Sequence, residues 1–90
     1  MRLEGRIYAG KDVLSLSVET VELQEGLPLT TCLDRALVKI CHNLQLPSLN
    51  WLSKNTREFS RYRQTIFFPE QFNEPVNFSQ FEIKLIERAN

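Results

Sequence analysis

From Arg2 to Tyr8 the chain alternates, with Leu3, Gly5 and Ile7 on one side and Arg2, Glu4 and Arg6 on the other. A period of two returns over residues 13–19, where Leu14, Leu16 and Val18 oppose Ser15, Ser17 and Glu19. Such alternation sets one side of a strand against a core and the other in water. The intervening "AGKD" is a turn signal, so the two runs predict a β-hairpin with one buried face. Gly5 within the first strand marks a bulge or a close approach by another group. After Thr20 the parity changes at Val21 and Leu23, which ends or kinks the second strand.

The next pattern is helical. Leu33, Ala36, Leu37, Ile40, Cys41 and Leu44 recur at steps of three and four, the mark of an amphipathic helix of about four turns. Thr31 with Asp34 resembles a capping box at its start, and Pro47 supplies the stop. Trp51 and Leu52 are expected to anchor the following segment on the core. Asn55 with Glu58 is a second capping signature, opening a shorter helix with Phe59, Tyr62 and Ile66 on one face. Pro69 and Pro75 bracket "EQFNE", a turn or a single helical turn. Over residues 78–87, "FSQFEIKLIE" sets Phe81, Ile83 and Leu85 against Glu82, Lys84 and Ile86. This is a third strand, and Ile86 on its second face implies partial cover there.

The order β-β-α-α-β makes this an α+β fold: an N-terminal hairpin, two helices and a C-terminal strand in a three-stranded sheet packed on helices. The hairpin's apolar side, the helical stripe and Phe81, Ile83 and Leu85 are expected to share one core. Residues 1–90 form a single small domain, which buries only about 60–65% of the surface its unfolded chain exposes. An apolar content of 42% and a charged content of 24% are ordinary for a globular fold and argue against disorder.

No run approaches the ~18 apolar residues of a membrane span, and Arg2, Glu4 and Arg6 interrupt any hydrophobic leader at the N-terminus. Cys32 and Cys41 lie on one predicted helix, roughly 13 Å apart along its axis, beyond the reach of a disulfide. Reduced thiols fit a reducing compartment, so a cytoplasmic location is expected.

The chemistry-bearing motifs are few. Three glycines, at positions 5, 10 and 26, form no phosphate-binding loop, and neither CxxC nor HExxH occurs. Cys41 and His42 are adjacent and diverge by about 100° on a helix, so they make a poor pair of ligands. No metal site and no cofactor are expected. Cys41 belongs to the apolar stripe and reads as a core thiol. An enzyme is therefore the weaker class.

The densest charge lies in "KNTREFSRYR", residues 54–63. Lys54, Arg57, Arg61, Tyr62 and Arg63 are the candidate binding residues. Arg57 and Arg61 share a helix face, with Lys54 before them and Arg63 pointing elsewhere. Neutralising three or four phosphates would give duplex DNA binding a log–log salt slope near −3 to −4. Yet the chain balances 11 basic against 11 acidic residues, unlike most nucleic-acid modules. The same cluster could latch internally onto the acidic run Glu19, Glu22 and Glu25. The leading reading is a non-enzymatic cytosolic domain that binds another protein or a second copy of itself, with the last strand as the candidate edge. The alternative is nucleic-acid or phosphate-ligand binding through the basic–aromatic helix. No membrane partner is expected.

The stretch from Trp51 to Ile86, with "WLSKNTREFSRYRQT", "FFPEQF" and "FEIKLIE", resembles a family of small uncharacterised proteins of anaerobic Gram-positive bacteria. The resemblance covers somewhat under half the chain. It implies a small bacterial cytosolic domain and carries no activity, ligand or residue role.

Overall fold

The structure, a computed structural model, describes residues 1–87. The elements run β1 (Arg2–Ala9), β2 (Asp12–Thr20), α1 (Leu29–Asn43), α2 (Ser53–Tyr62), β3 (Gln64–Phe67), a 3-10 turn (Pro69–Gln71) and β4 (Gln80–Ile86). They build an α+β fold in which four strands form one sheet in the order β2-β1-β4-β3. Every neighbouring pair is antiparallel. Both helices lie on one face of the sheet, and the other face is open.

The sheet has four strands rather than the expected three. Residues 64–67, whose Ile66 matched the helical spacing of Phe59 and Tyr62, are extended. α2 stops because Arg63 takes a left-handed conformation (φ 58°, ψ 26°) while its N–H still bonds to the Phe59 carbonyl at 2.9 Å. Glycine normally marks that position, and an arginine there leaves no signal in the sequence. The β-branched and aromatic run that follows suits a strand. Thr65 and Phe67 pair with Ile83 and Phe81 on the core side, and Ile66 faces outward beside Glu82. β4 lies between β1 and β3, so the last strand is interior and not an edge.

A second correction concerns the hairpin. Around the two-residue turn at Gly10 and Lys11, Ala9 pairs with Asp12 and Tyr8 with Val13, but the next pair is Ile7 with Ser15. Leu14 is the extra residue of a bulge. Without it, Ile7, Gly5 and Leu3 would oppose Leu14, Leu16 and Val18, uniting the two apolar sides. With it they oppose Ser15, Ser17 and Glu19. A shift of one residue exchanges the faces of a strand. Leu14, Leu16 and Val18 are consequently 55%, 53% and 41% exposed. The polar side of β2 meets the C-terminal end of α1, where Asn43 Nδ2 donates to Ser17 Oγ at 3.1 Å and Glu19 Oε2 at 2.8 Å.

The core therefore centres on β1 and β4. Leu3 and Ile7, Phe81, Ile83 and Leu85 pack beneath Cys32, Ala36, Leu37 and Ile40 of α1. Phe67 stacks on Phe81 with ring centroids 5.8 Å apart, and Phe72 closes the same cluster. The helix starts also differ from the capping signatures. α1 begins at Leu29 behind Pro28, without a side-chain cap. α2 begins at Ser53, which puts Asn55 inside its first turn, reaching back to accept the Leu52 N–H at 2.9 Å. Where a turn or a single helical turn was expected at residues 70–74, a 3-10 turn spans Pro69–Gln71 and covers the start of that stretch. No described helix is long and apolar enough to cross a membrane.

Candidate functional site

The basic–aromatic helix disperses its charges. Lys54 is half-buried, its Nζ 4.6 Å from the centre of the Phe68 ring. Arg63 pairs with Glu87 (Nε to Oε1, 2.7 Å), and its Nη1 also donates to the Ser60 carbonyl. Arg61 lies 5.6 Å from the ring centre of Tyr62, itself 61% exposed. Arg57 is exposed. Among the described residues no ion pair joins this cluster to Glu19, Glu22 or Glu25; the ion pairs are Arg63–Glu87 and Arg6–Glu4. The acidic run is not the latch, since Glu19 bonds to Asn43 instead. Arg57 and Arg61 alone project freely, four residues apart on the solvent side of α2.

Beneath that helix lies a buried polar hub. Asn55 is fully enclosed. Its Nδ2 donates to Thr65 Oγ1 at 2.8 Å and to the Ile66 carbonyl at 3.1 Å. Its Oδ1 accepts from Gln71 Nε2 at 3.0 Å as well as from Leu52 N–H. Thr65 Oγ1 in turn donates to Glu58 at 2.6 Å. All four hydrogen-bonding positions of the Asn55 amide are filled, and it ties α2, β3 and the 3-10 turn together. Satisfied in this way, the hub is structural.

The thiols are equally quiet. Cys32 is buried and Cys41 half-buried, both unpaired by disulfide. Burial, helped by the charge of Asp34, pushes the Cys41 thiol up to about 11, leaving little thiolate at neutral pH. Among the described residues no group of three His, Cys, Asp or Glu side chains converges to hold a metal ion.

The feature that stands out is β2. It is one of the two edges of the sheet, and its nine residues span roughly 30 Å at ~3.3 Å per residue. Among the described residues, its outward row of N–H and C=O groups has no strand partner. Along it run Val13, Leu14, Leu16 and Val18, between 41% and 55% exposed. Edges are commonly blunted by brevity, proline or inward-pointing charge. The opposite edge, β3, is only four residues long, whereas "VLSLSV" has no proline or charge and carries only the bulge at Leu14. The neighbouring positions on the open face are charged: Arg2, Glu4 and Arg6 on β1, Glu82 and Lys84 on β4. Sequence reading missed this surface because it put Leu14, Leu16 and Val18 in the core; the bulge that turns them outward has no glycine or proline to betray it.

No protein-family model, curated protein or solved structure matches this chain.

Proposed function

We propose that the chain is a non-enzymatic binding domain that associates with a second copy of itself through the edge of β2. The observation that carries this reading is the apolar stripe of Leu14, Leu16 and Val18 lying along a sheet edge that no described strand pairs with.

Antiparallel pairing of two β2 strands with Leu16 on the two-fold axis sets Leu14 of each copy opposite Val18 of the other. The two stripes then join on one face, six apolar side chains in a row, while both backbones gain a hydrogen-bonded neighbour. Stacking of the open faces is disfavoured, because it would bury the charged rows of β1 and β4. An interface of one strand and three side chains per copy sits at the small end of specific contacts, so a weak dimer is expected.

Sedimentation or light scattering across the micromolar to near-millimolar range tests this. The wild-type chain is expected to dimerise with concentration. Leu16→Lys, which sets two charges together on the axis, is expected to weaken association at least about tenfold, and Arg57→Ala should leave it unchanged. A chain that stays monomeric throughout, or a dimer indifferent to Leu16→Lys, rules the reading out.

A further inference from the structure

Away from the β2 edge, α1 and α2 do not pack closely on each other. The gap between them is a cleft of about 270 Å³. Its floor is Leu3 of β1 and Ile83 of β4, and its walls are Leu33 and Leu37 of α1 against Trp51 and Phe59. The indole and the Phe59 ring meet edge-on, with centroids 6.0 Å apart. Trp51 Nε1–H donates to Thr56 Oγ1 at 2.7 Å, which holds the indole upright as a wall and satisfies its one polar atom.

The mouth is polar and built by helical spacing. Thr30 and Asp34 stand four apart on α1, and Thr56 and Ser60 stand four apart on α2, so two polar rows face each other above the apolar floor. Among the residues lining the cleft, Asp34 alone carries a charge. It takes part in no ion pair among the described residues.

We infer that this cleft is a binding site for a small amphiphilic amine, with a flat or short-chain apolar body between Leu33, Leu37, Trp51 and Phe59 and an ammonium head at Asp34. The volume sets the size. At about 270 Å³ the cleft lies just below the usual range of drug-sized pockets, which suits a single ring or short chain. The lining sets the body, since aliphatic and aromatic walls reward burial of a ring or chain. The mouth sets the head. A cation gains the unpaired Asp34 carboxylate and three hydroxyl acceptors, while a carboxylate ligand would meet a like charge.

Trp51 is the single tryptophan of the chain, so its emission reports on the cleft directly. The full chain is titrated at neutral pH with 2-phenylethylamine, with the isosteric 2-phenylethanol and with phenylacetate. The amine is expected to produce a saturable change, binding about three- to fivefold more tightly than the alcohol, as one exposed ion pair allows; phenylacetate should bind least. Asp34→Asn, at an exposed position that leaves the fold intact by circular dichroism, is expected to abolish the preference for the amine while the alcohol binds as before. Leu33→Phe, which fills the cleft, is expected to remove all three responses. Responses that do not saturate, an amine no better than the alcohol, or a preference that survives Asp34→Asn would each overturn the assignment. Repeating the titration on Leu16→Lys keeps the result independent of dimerisation.

Discussion

Gly5 of β1 lies directly beneath Ile40 of α1: a β-carbon on residue 5 would stand 2.5 Å from Ile40 Cγ2 and 3.0 Å from Phe81 Cε1. The absent side chain is what lets the helix settle onto the centre of the sheet. Both neighbours are fully buried and have no free space to retreat into. Gly5→Ala is therefore expected to destabilise the fold by about 1–3 kcal/mol through overpacking, read as a lower urea midpoint. Ile40→Leu removes the Cγ2 branch at nearly constant volume. The double variant is expected to recover part of the loss, a coupling that distant sites would not show.

Asn55 offers a test of the polar hub. Asn55→Ala strands the Leu52 N–H, the Ile66 carbonyl and the Gln71 amide, and is expected to cost about 2–4 kcal/mol in denaturant unfolding. Asn55→Asp keeps the shape but points a carboxylate at the Ile66 carbonyl. Burial and that acceptor would raise its pKa in the folded state. The contribution of a group with a raised folded pKa is present below the unfolded value, near ~3.9, and is lost as pH climbs through the folded one. This variant should thus lose stability between mildly acidic and neutral pH, where the wild type should not.

The raised pKa of Cys41 predicts a slow thiol. Native protein is expected to react sluggishly with iodoacetamide at neutral pH, with a rate that climbs toward pH about 11 rather than about 9. The unfolded chain ionises this thiol first. Stability from Cys41 is therefore complete below pH 9.0 and declines as pH rises toward 11. Alkylation rates against pH, in native buffer and in urea, check both statements.

The bulge in β2 separates residues that look alike in sequence. Leu16→Ser is expected to change stability by no more than about 0.5 kcal/mol, because the side chain is already wet. Leu3→Ala, in the same hairpin but enclosed, is expected to cost about 2–5 kcal/mol. Equal costs for the two substitutions would mean that the strands pair without the extra residue.

With Arg63 tied to Glu87 and Lys54 resting on Phe68, two free guanidinium groups are a thin basis for phosphate binding. Single- and double-stranded DNA are expected to give no gel shift at physiological salt. Any shift at low salt should carry a log–log slope near −2, since each phosphate contact contributes about −0.9, and should vanish in Arg57→Ala/Arg61→Ala.

Much of the architecture was legible along the chain. The period-two runs of β1, β2 and β4 and the stripe of α1 all appear where the alternation places them, because each side of these elements meets a uniform environment. The short turn after Pro69 was legible because proline is suited to a helix start. β3 was not, since four residues after a helix carry too little period to separate Ile66 from the face of Phe59 and Tyr62. The positions of Lys54, Arg57, Arg61 and Arg63 on or beside a helix were readable, but not that Glu87, sixty-odd positions from the acidic run, would take Arg63.

Amino-acid order alone decided that β1, β2 and β4 become strands and α1 a helix, because backbone preference and local amphipathicity are properties of neighbours in the chain; β3 is the exception. It also decided that Leu14, Leu16 and Val18 share one side of β2. Which way that side faces was settled only by tertiary pairing: one additional residue opposite Ile7 and Tyr8, held by the bonds from Asn43 to Ser17 and Glu19, turns the stripe from core to edge. The cleft at Trp51 has the same origin, since it is set by how far apart two helices come to rest on a sheet, a distance that no local pattern encodes.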